Sequence, residues 1–223
     1  MSEQTNILYQ DKIPAIAVPK VIDVASRLDI DPNDLMIVFY AESRFSTTIK
    51  NSIGCVGLIQ FCPDVKGGTT KRIGDTVYKL SDIQKMTWNQ QLELCYEYWK
   101  PYKNYIYNVY DLYLATFYPL AFKKDDNFKF GSQISEAMVR TIASQNPAIS
   151  KGSPYITKHI FRDYVKANLI KAGVDAKYLT NEKSNFRIIR KVFSRNALPI
   201  TMFSTLIIGS TIYLVVNRKQ LKS

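Results

Sequence analysis

The stretch PNDLMIVFYAESRF (32–45), followed by GLIQF (57–61), decides how this chain is read. Asp31-Pro32 is a helix-opening pair, because the Asp side chain can accept from free backbone N–H groups and Pro is pre-set for the first helical position. The spacing predicts a helix from Pro32 to about Ser43 whose inner face carries Leu35, Val38 and Phe39. Glu42 follows three to four residues later, on or beside that buried side. A carboxylate there is costly unless it has a partner or a task. Across 44–86 the helical signal weakens, and Gly54, Gly57, Pro63, Gly67, Gly68 and Gly74 punctuate what reads as loop with short turns. A cleft would be built in this region.

Outward from there the chain is helical. Val21, Ile22, Val24, Ala25 and Leu28 recur at helical spacing, as do apolar positions over 88–98 and 110–117, with Lys100-Pro101 between them. The segment 156–172 reads as an amphipathic helix. Internal repeats and low-complexity tracts are not evident. The aromatic run around Tyr96, Tyr98, Trp99 and Tyr102 reads mainly as packing.

Charge is unevenly distributed along the 223 residues: the first 150 carry 16 charges of each sign, so the net +11 belongs to the last third. The basic balance therefore gives no reason to assign the main domain a nucleic-acid partner. Residues 198–216 contain no charged side chain, and 19 residues of helix span about 28 Å, close to the hydrocarbon thickness of a bilayer. Arg187, Arg190, Lys191 and Arg195 precede this stretch and Arg218, Lys219 and Lys222 follow it, as headgroup anchors would. The expected organisation is an N-terminal segment (1–17), a main domain (18–180), a basic linker (181–197), a transmembrane helix (198–216) and a basic tail (217–223). Cys55, Cys62 and Cys95 are odd in number, lack CxxC spacing and lie far from the single histidine, His159. That argues against zinc ligation and against a disulfide framework, and casts Cys55 and Cys62 as small buried hydrophobes.

Three strings then occur in order: Glu42-Ser43-Arg44-Phe45, Gly57-Leu58-Ile59-Gln60-Phe61, and Tyr113-Leu114-Ala115-Thr116-Phe117-Tyr118-Pro119. In this order they resemble the lytic transglycosylase family, which has a lysozyme-like fold. In that family a Glu-Ser pair ends a helix, a Gly-Leu-x-Gln string lines the cleft, and a Leu-Ala-x-Tyr-Asn-Ala-Gly string packs beneath the glutamate. The third string here departs from that pattern, so the supporting aromatic hydroxyl is either that of Tyr118 in a shifted register or absent at Phe117. The Phe-Tyr-Pro variant, followed later by Asn146-Pro147, looks like that of bacteriophage-encoded members. Some of those carry an acidic calcium loop after the Asn-Pro pair, but 146–152 has no carboxylate here, so neither a metal nor a cofactor is expected.

The resemblance implies a mainly α, lysozyme-like domain that cleaves peptidoglycan glycan strands at the β-1,4 bond between N-acetylmuramic acid and N-acetylglucosamine. Glu42 would be the catalytic residue, with Ser43, Gln60, Phe61 and Tyr118 contacting substrate. Protonating a glycosidic oxygen at neutral pH calls for a carboxyl with a raised pKa, and Phe39, Tyr40 and Phe45 flank Glu42 suitably. Most glycosidases add a second carboxylate, whereas this family lets the sugar's own C6 hydroxyl attack. Asp64 is the nearest candidate for a second acid. The alternatives are a hydrolytic muramidase and a non-catalytic glycan-binding or structural protein that keeps the fold. Export signals are not evident at the N-terminus, and the basic flank favours a cytoplasmic main domain, although the wall lies outside the membrane. A virion protein, carried in a virion membrane or inserted in the host envelope beside other virion proteins, reconciles the two.

Overall fold

The computed structural model describes residues 7–65 and 67–179. The expected linker, transmembrane helix and basic tail (181–223) lie outside the described residues. Among those described, no helix is long and apolar enough to cross a membrane.

The first two helices are set by their ends. Helix α1 (Val18–Leu28) buries Val21, Val24, Ala25 and Leu28, a single stripe at helical spacing. Asp29 stops it in the left-handed region (φ 63°), and the Ile30 N–H closes back on the Ala25 carbonyl at 3.0 Å. Asp31 then caps α2 (Pro32–Ser43) by accepting from the Asn33 N–H at 2.8 Å. The sequence predicts one inner face for α2, but Leu35, Met36, Ile37, Val38 and Phe39 are all buried. Five consecutive apolar residues go round more than a full turn, so α2 is the central helix of the domain.

The region read as loop contains two short strands, β1 (Thr70–Ile73) and β2 (Thr76–Lys79), paired antiparallel, and α3 (Leu80–Lys85). The strands escape sequence reading because neither shows an apolar alternation; Val77, in β2, is exposed. Helix α4 (Trp88–Trp99) opens on a reciprocal capping box between Thr87 and Gln90. It is followed by α5 (Val109–Phe117), α6 (Glu136–Gln145), the single turn α7 (Pro147–Ser150) and α8 (Lys158–Lys171).

Helix α1 packs on α4 and α2, α2 on α5, and α5 on α8. Lys20 and Arg27 of α1 meet Glu93 of α4 at the surface, a cluster too exposed to contribute much. The core continues upstream of Val18: Ile7, Ile13 and Ala17 are buried in it, and the Tyr9 ring stacks on Tyr40 at 4.7 Å. His159 and the run Lys123 to Asp126 are exposed.

Phe39 sits at the centre, with its ring 6.2 Å from Trp88 and 6.4 Å from Trp99. Phe39→Ala is therefore expected to destabilise the domain by about 3–5 kcal/mol, the usual cost of emptying a site of this size. Urea unfolding checks this as a lowered midpoint with an unchanged slope.

Candidate active site

Helix α2 ends at the site. Arg44 and Phe45 follow Ser43 in the left-handed region (φ 50° and 66°), an uncommon pair of conformations for non-glycine residues. Their N–H groups close on the Tyr40 and Phe39 carbonyls at 3.1 and 3.3 Å, which satisfies the helix end. Phe45 is thereby folded back against Tyr40 and Trp88, and the Arg44 guanidinium lies over the Tyr40 ring at 4.0 Å.

This turn leaves Glu42 half-buried in the wall of a cleft of about 760 Å³, a size usual for ligand sites. One wall is formed by the loop bearing Gln60 and Phe61, the far wall by Asn146 of the α6–α7 junction and by Tyr164 and Asn168 of α8. Burial raises the Glu42 carboxyl to about 7, and a hydrogen bond from the Tyr113 hydroxyl partly opposes that rise. Burial and the neighbouring carboxylate together push the Tyr113 phenol well above its usual value, so it remains a hydrogen donor. Glu42 is the only carboxylate among the described residues that line this cleft.

The other expected site residues fall in different places. Ser43 is buried beside the cleft, not in it, and its hydroxyl donates to the Phe39 carbonyl at 3.0 Å. One residue further along a helix is about 100° further round it, so Ser43 faces the core while Glu42 faces the opening. Gln60 lines the cleft in the left-handed region (φ 52°), with its amide donating to the Gly57 carbonyl at 3.1 Å. Phe61 also lines the cleft, but its side chain is almost wholly buried, with the ring meeting Tyr98 edge-on at 6.0 Å.

Tyr118 also borders the cleft, but its hydroxyl accepts from the Gly131 N–H at 2.9 Å and from the Gln133 amide. It is a buried anchor for 131–133 and does not support Glu42. The supporting hydroxyl is that of Tyr113, the first residue of the third string, which sequence reading sought at 117 or 118. Helical spacing holds the clue: Tyr113 is one turn before Phe117, on the helix that packs against α2. Asp64, the sequence's candidate for a second acid, is not among the described residues that line the cleft. It accepts from the Arg72 N–H at 2.6 Å and pairs with Lys71 at 3.4 Å. Lys71 itself is almost wholly buried at the cleft edge, and burial lowers its pKa against the pull of Asp64.

A disulfide joins Cys55 to Cys62, contrary to the sequence reading of both as unpaired hydrophobes, while Cys95 is free and buried. Spacing along the chain does not reveal the pairing because a tertiary feature creates it. Val56 and Phe61 pair in an antiparallel bridge, with N–H to carbonyl distances of 3.1 and 2.8 Å, which sets the flanking cysteines side by side. Both cysteines line the cleft.

Residues 20–89 match the family model described as the Transglycosylase SLT domain, a little under a third of the chain. The matched span runs from α1 to the start of α4 and holds Glu42 and the Gly57–Phe61 loop. This supports the lytic transglycosylase resemblance over its first two strings; Tyr113 and the far wall of the cleft lie beyond it. Comparison with curated proteins gives no match, and neither does comparison with solved structures.

Two consequences are measurable. A carboxyl raised from 4.5 to about 7 in the folded protein binds its proton more tightly there than in the unfolded chain. Stability should therefore fall as pH rises from about 4.5 to about 7 and then level off. Glu42→Gln removes the Glu42 share of that fall and leaves the share of the buried Asp34. Urea unfolding should find the variant more stable than the parent by about 1–3 kcal/mol at pH 8 and equal near pH 4. Reducing the Cys55–Cys62 bridge, which closes a loop with a sequence separation of 7, should lower stability by about 2–3 kcal/mol. Unfolding with and without a reductant checks this, with Cys62→Ser as the variant that no longer responds.

Proposed function

We propose that this chain is a peptidoglycan lytic transglycosylase in which Glu42 does the acid and base work alone. The observation that carries the reading is a half-buried glutamate with its pKa raised to about 7, held by Tyr113, in a cleft whose described lining offers no other carboxylate. The family match over 20–89 supports it independently.

In this mechanism the protonated Glu42 gives its proton to the glycosidic oxygen between N-acetylmuramic acid and N-acetylglucosamine as the C1–O bond breaks. Positive charge then develops at C1, and the resulting Glu42 carboxylate takes the proton of the muramyl C6 hydroxyl as that oxygen bonds to C1. The products are a 1,6-anhydromuramyl end and a free 4-hydroxyl, and Glu42 is again protonated. The Tyr113 hydroxyl donates to the carboxylate while it is charged and so eases its passage between the two states. A hydrolytic route of the inverting kind would need a second carboxylate about 6.5–9.5 Å away to activate water. The reading without a second acid is supported by Asp64, which is engaged by Lys71 and the Arg72 N–H and is not among the described residues that line the cleft.

The setting proposed is a virion-associated protein anchored by residues 198–216 that opens the wall locally during entry. The charge-free stretch with cationic flanks supports the anchor. The cleft disulfide supports work on the outer side of a membrane, since such bonds persist in oxidising compartments and are rare in the cytosol.

The test is mass spectrometry of the fragments released from purified peptidoglycan by the full-length protein, beside Glu42→Gln. Fragments ending in 1,6-anhydro sugars, absent with the variant, are the expected result. Reducing ends would replace the reading with a muramidase, and no release from either protein would leave a glycan-binding or structural role.

A further inference from the structure

Gln91, in the first turn of α4, is a polar side chain with no exposed surface. Its Oε1 accepts from the Leu58 N–H at 2.9 Å, and its Nε2 donates to the Thr47 and Ile83 carbonyls, both at 2.7 Å. The three bonds reach three separate stretches of chain. Thr47 follows the left-handed turn that ends the Glu42 helix, Leu58 is inside the loop that presents Gln60 and Phe61, and Ile83 belongs to α3. We propose that Gln91 is the positioning residue of the cleft: it fixes the glycan-holding loop relative to Glu42, so that the sugar chain meets the acid in register. This rests on the glycan-cleaving reading above.

The chemistry selects glutamine at this place. One planar amide accepts at one end and donates two hydrogens at the other, which matches one N–H and two carbonyls converging in a dry interior. A glutamate would turn an acceptor toward two carbonyls. A leucine would leave the Leu58 N–H and the Thr47 carbonyl without this partner, each at a real desolvation cost, while the Ile83 carbonyl would keep the Met86 N–H at 3.1 Å. The same contact explains the glycine that opens the loop. Gly57 has φ +74°, and a Cβ there would lie 2.5 Å from the Gln91 Oε1. The disulfide cannot substitute for this tie, since Cys55 and Cys62 join the two ends of the loop to each other. The loop already meets the segment after the Glu42 helix through the Gly57 N–H on the Ile49 carbonyl at 3.0 Å and a bridge between Lys50 and Val56. Gln91, which does not itself line the cleft, adds the side-chain tie through Thr47, two residues closer to Glu42.

A residue that acts by placing the binding loop should change how tightly glycan is held and leave the ionisation of Glu42 alone. The experiment measures KM, kcat and the pH profile on glycan strands for the full-length protein, Gln91→Leu and Gln91→Glu. It also measures the affinity of an N-acetylglucosamine tetramer for each in the Glu42→Gln background. Gln91→Leu is expected to raise KM and the tetramer Kd by about tenfold or more, the scale on which small misplacements act, with the limb of the pH profile near 7 unmoved. Gln91→Glu should share the loss at pH 8 and regain part of it at pH 5. There the introduced carboxyl is protonated and can again accept from Leu58 while donating to one carbonyl. This second variant, assayed in acid, also serves if Gln91→Leu does not fold. Unchanged KM and Kd in folded variants, whatever happens to the melting temperature, would reduce Gln91 to a packing role and overturn the proposal. If the unaltered protein binds the tetramer without cleaving strands, the catalytic reading falls, and the Kd comparison still decides Gln91. If it does neither, both fall.

Discussion

The structure depends on how α2 is buried. A helix apolar on all sides must be enclosed by its neighbours, and its end becomes the one place where it can meet solvent. Glu42 occupies that end. Its carboxyl is therefore desolvated by the core behind it yet open to a cleft in front, which is the condition for an acid that stays protonated near neutrality and can still reach a substrate. The left-handed pair Arg44 and Phe45 makes this possible by turning the chain away sharply while still satisfying the helix carbonyls.

The same helix carries a second buried carboxyl at its other end. Asp34 is almost wholly enclosed, accepts a hydrogen bond from the Val109 backbone, and is pushed well above the carboxylate range by burial and then by Asp31 and Asp111. One of its oxygens has no hydrogen-bond partner among the described residues. The contrast with Glu42 shows that burial alone does not make an acid useful. Asp34 is not among the residues lining the Glu42 cleft, and its neighbours are two more acids; Glu42 has the cleft and a tyrosine hydroxyl.

The cleft is assembled from two parts of the chain with different origins in sequence. The part between α1 and α4 supplies the glutamate and the Gly57–Phe61 loop, and it carries the recognisable family pattern. The later part, α5 to α8, supplies Tyr113 and the far wall, including Asn146, Tyr164 and Asn168. The cations Arg44, Lys71 and Lys171 border the same cleft, against one carboxylate that is itself half-protonated near pH 7.

The sequence by itself determined the helical class, the Asp31-Pro32 start of α2, the place of Glu42 at its end, and the loop that holds Gln60 and Phe61. These follow from caps, spacing and glycines, which act over a few residues. Only the tertiary structure decided which hydroxyl supports Glu42, because Tyr113 and Phe117 share a face of α5 and only the packing of α5 on α2 selects between the string's aromatics. It also turned Ser43 into the core, engaged Asp64 with Lys71 and Arg72, and paired Cys55 with Cys62 across a bridge that no cysteine spacing encodes. Gln91 stayed invisible in sequence for the same reason. A buried amide is informative only through the three backbone groups it meets, and those come together from 47, 58 and 83 when the chain folds.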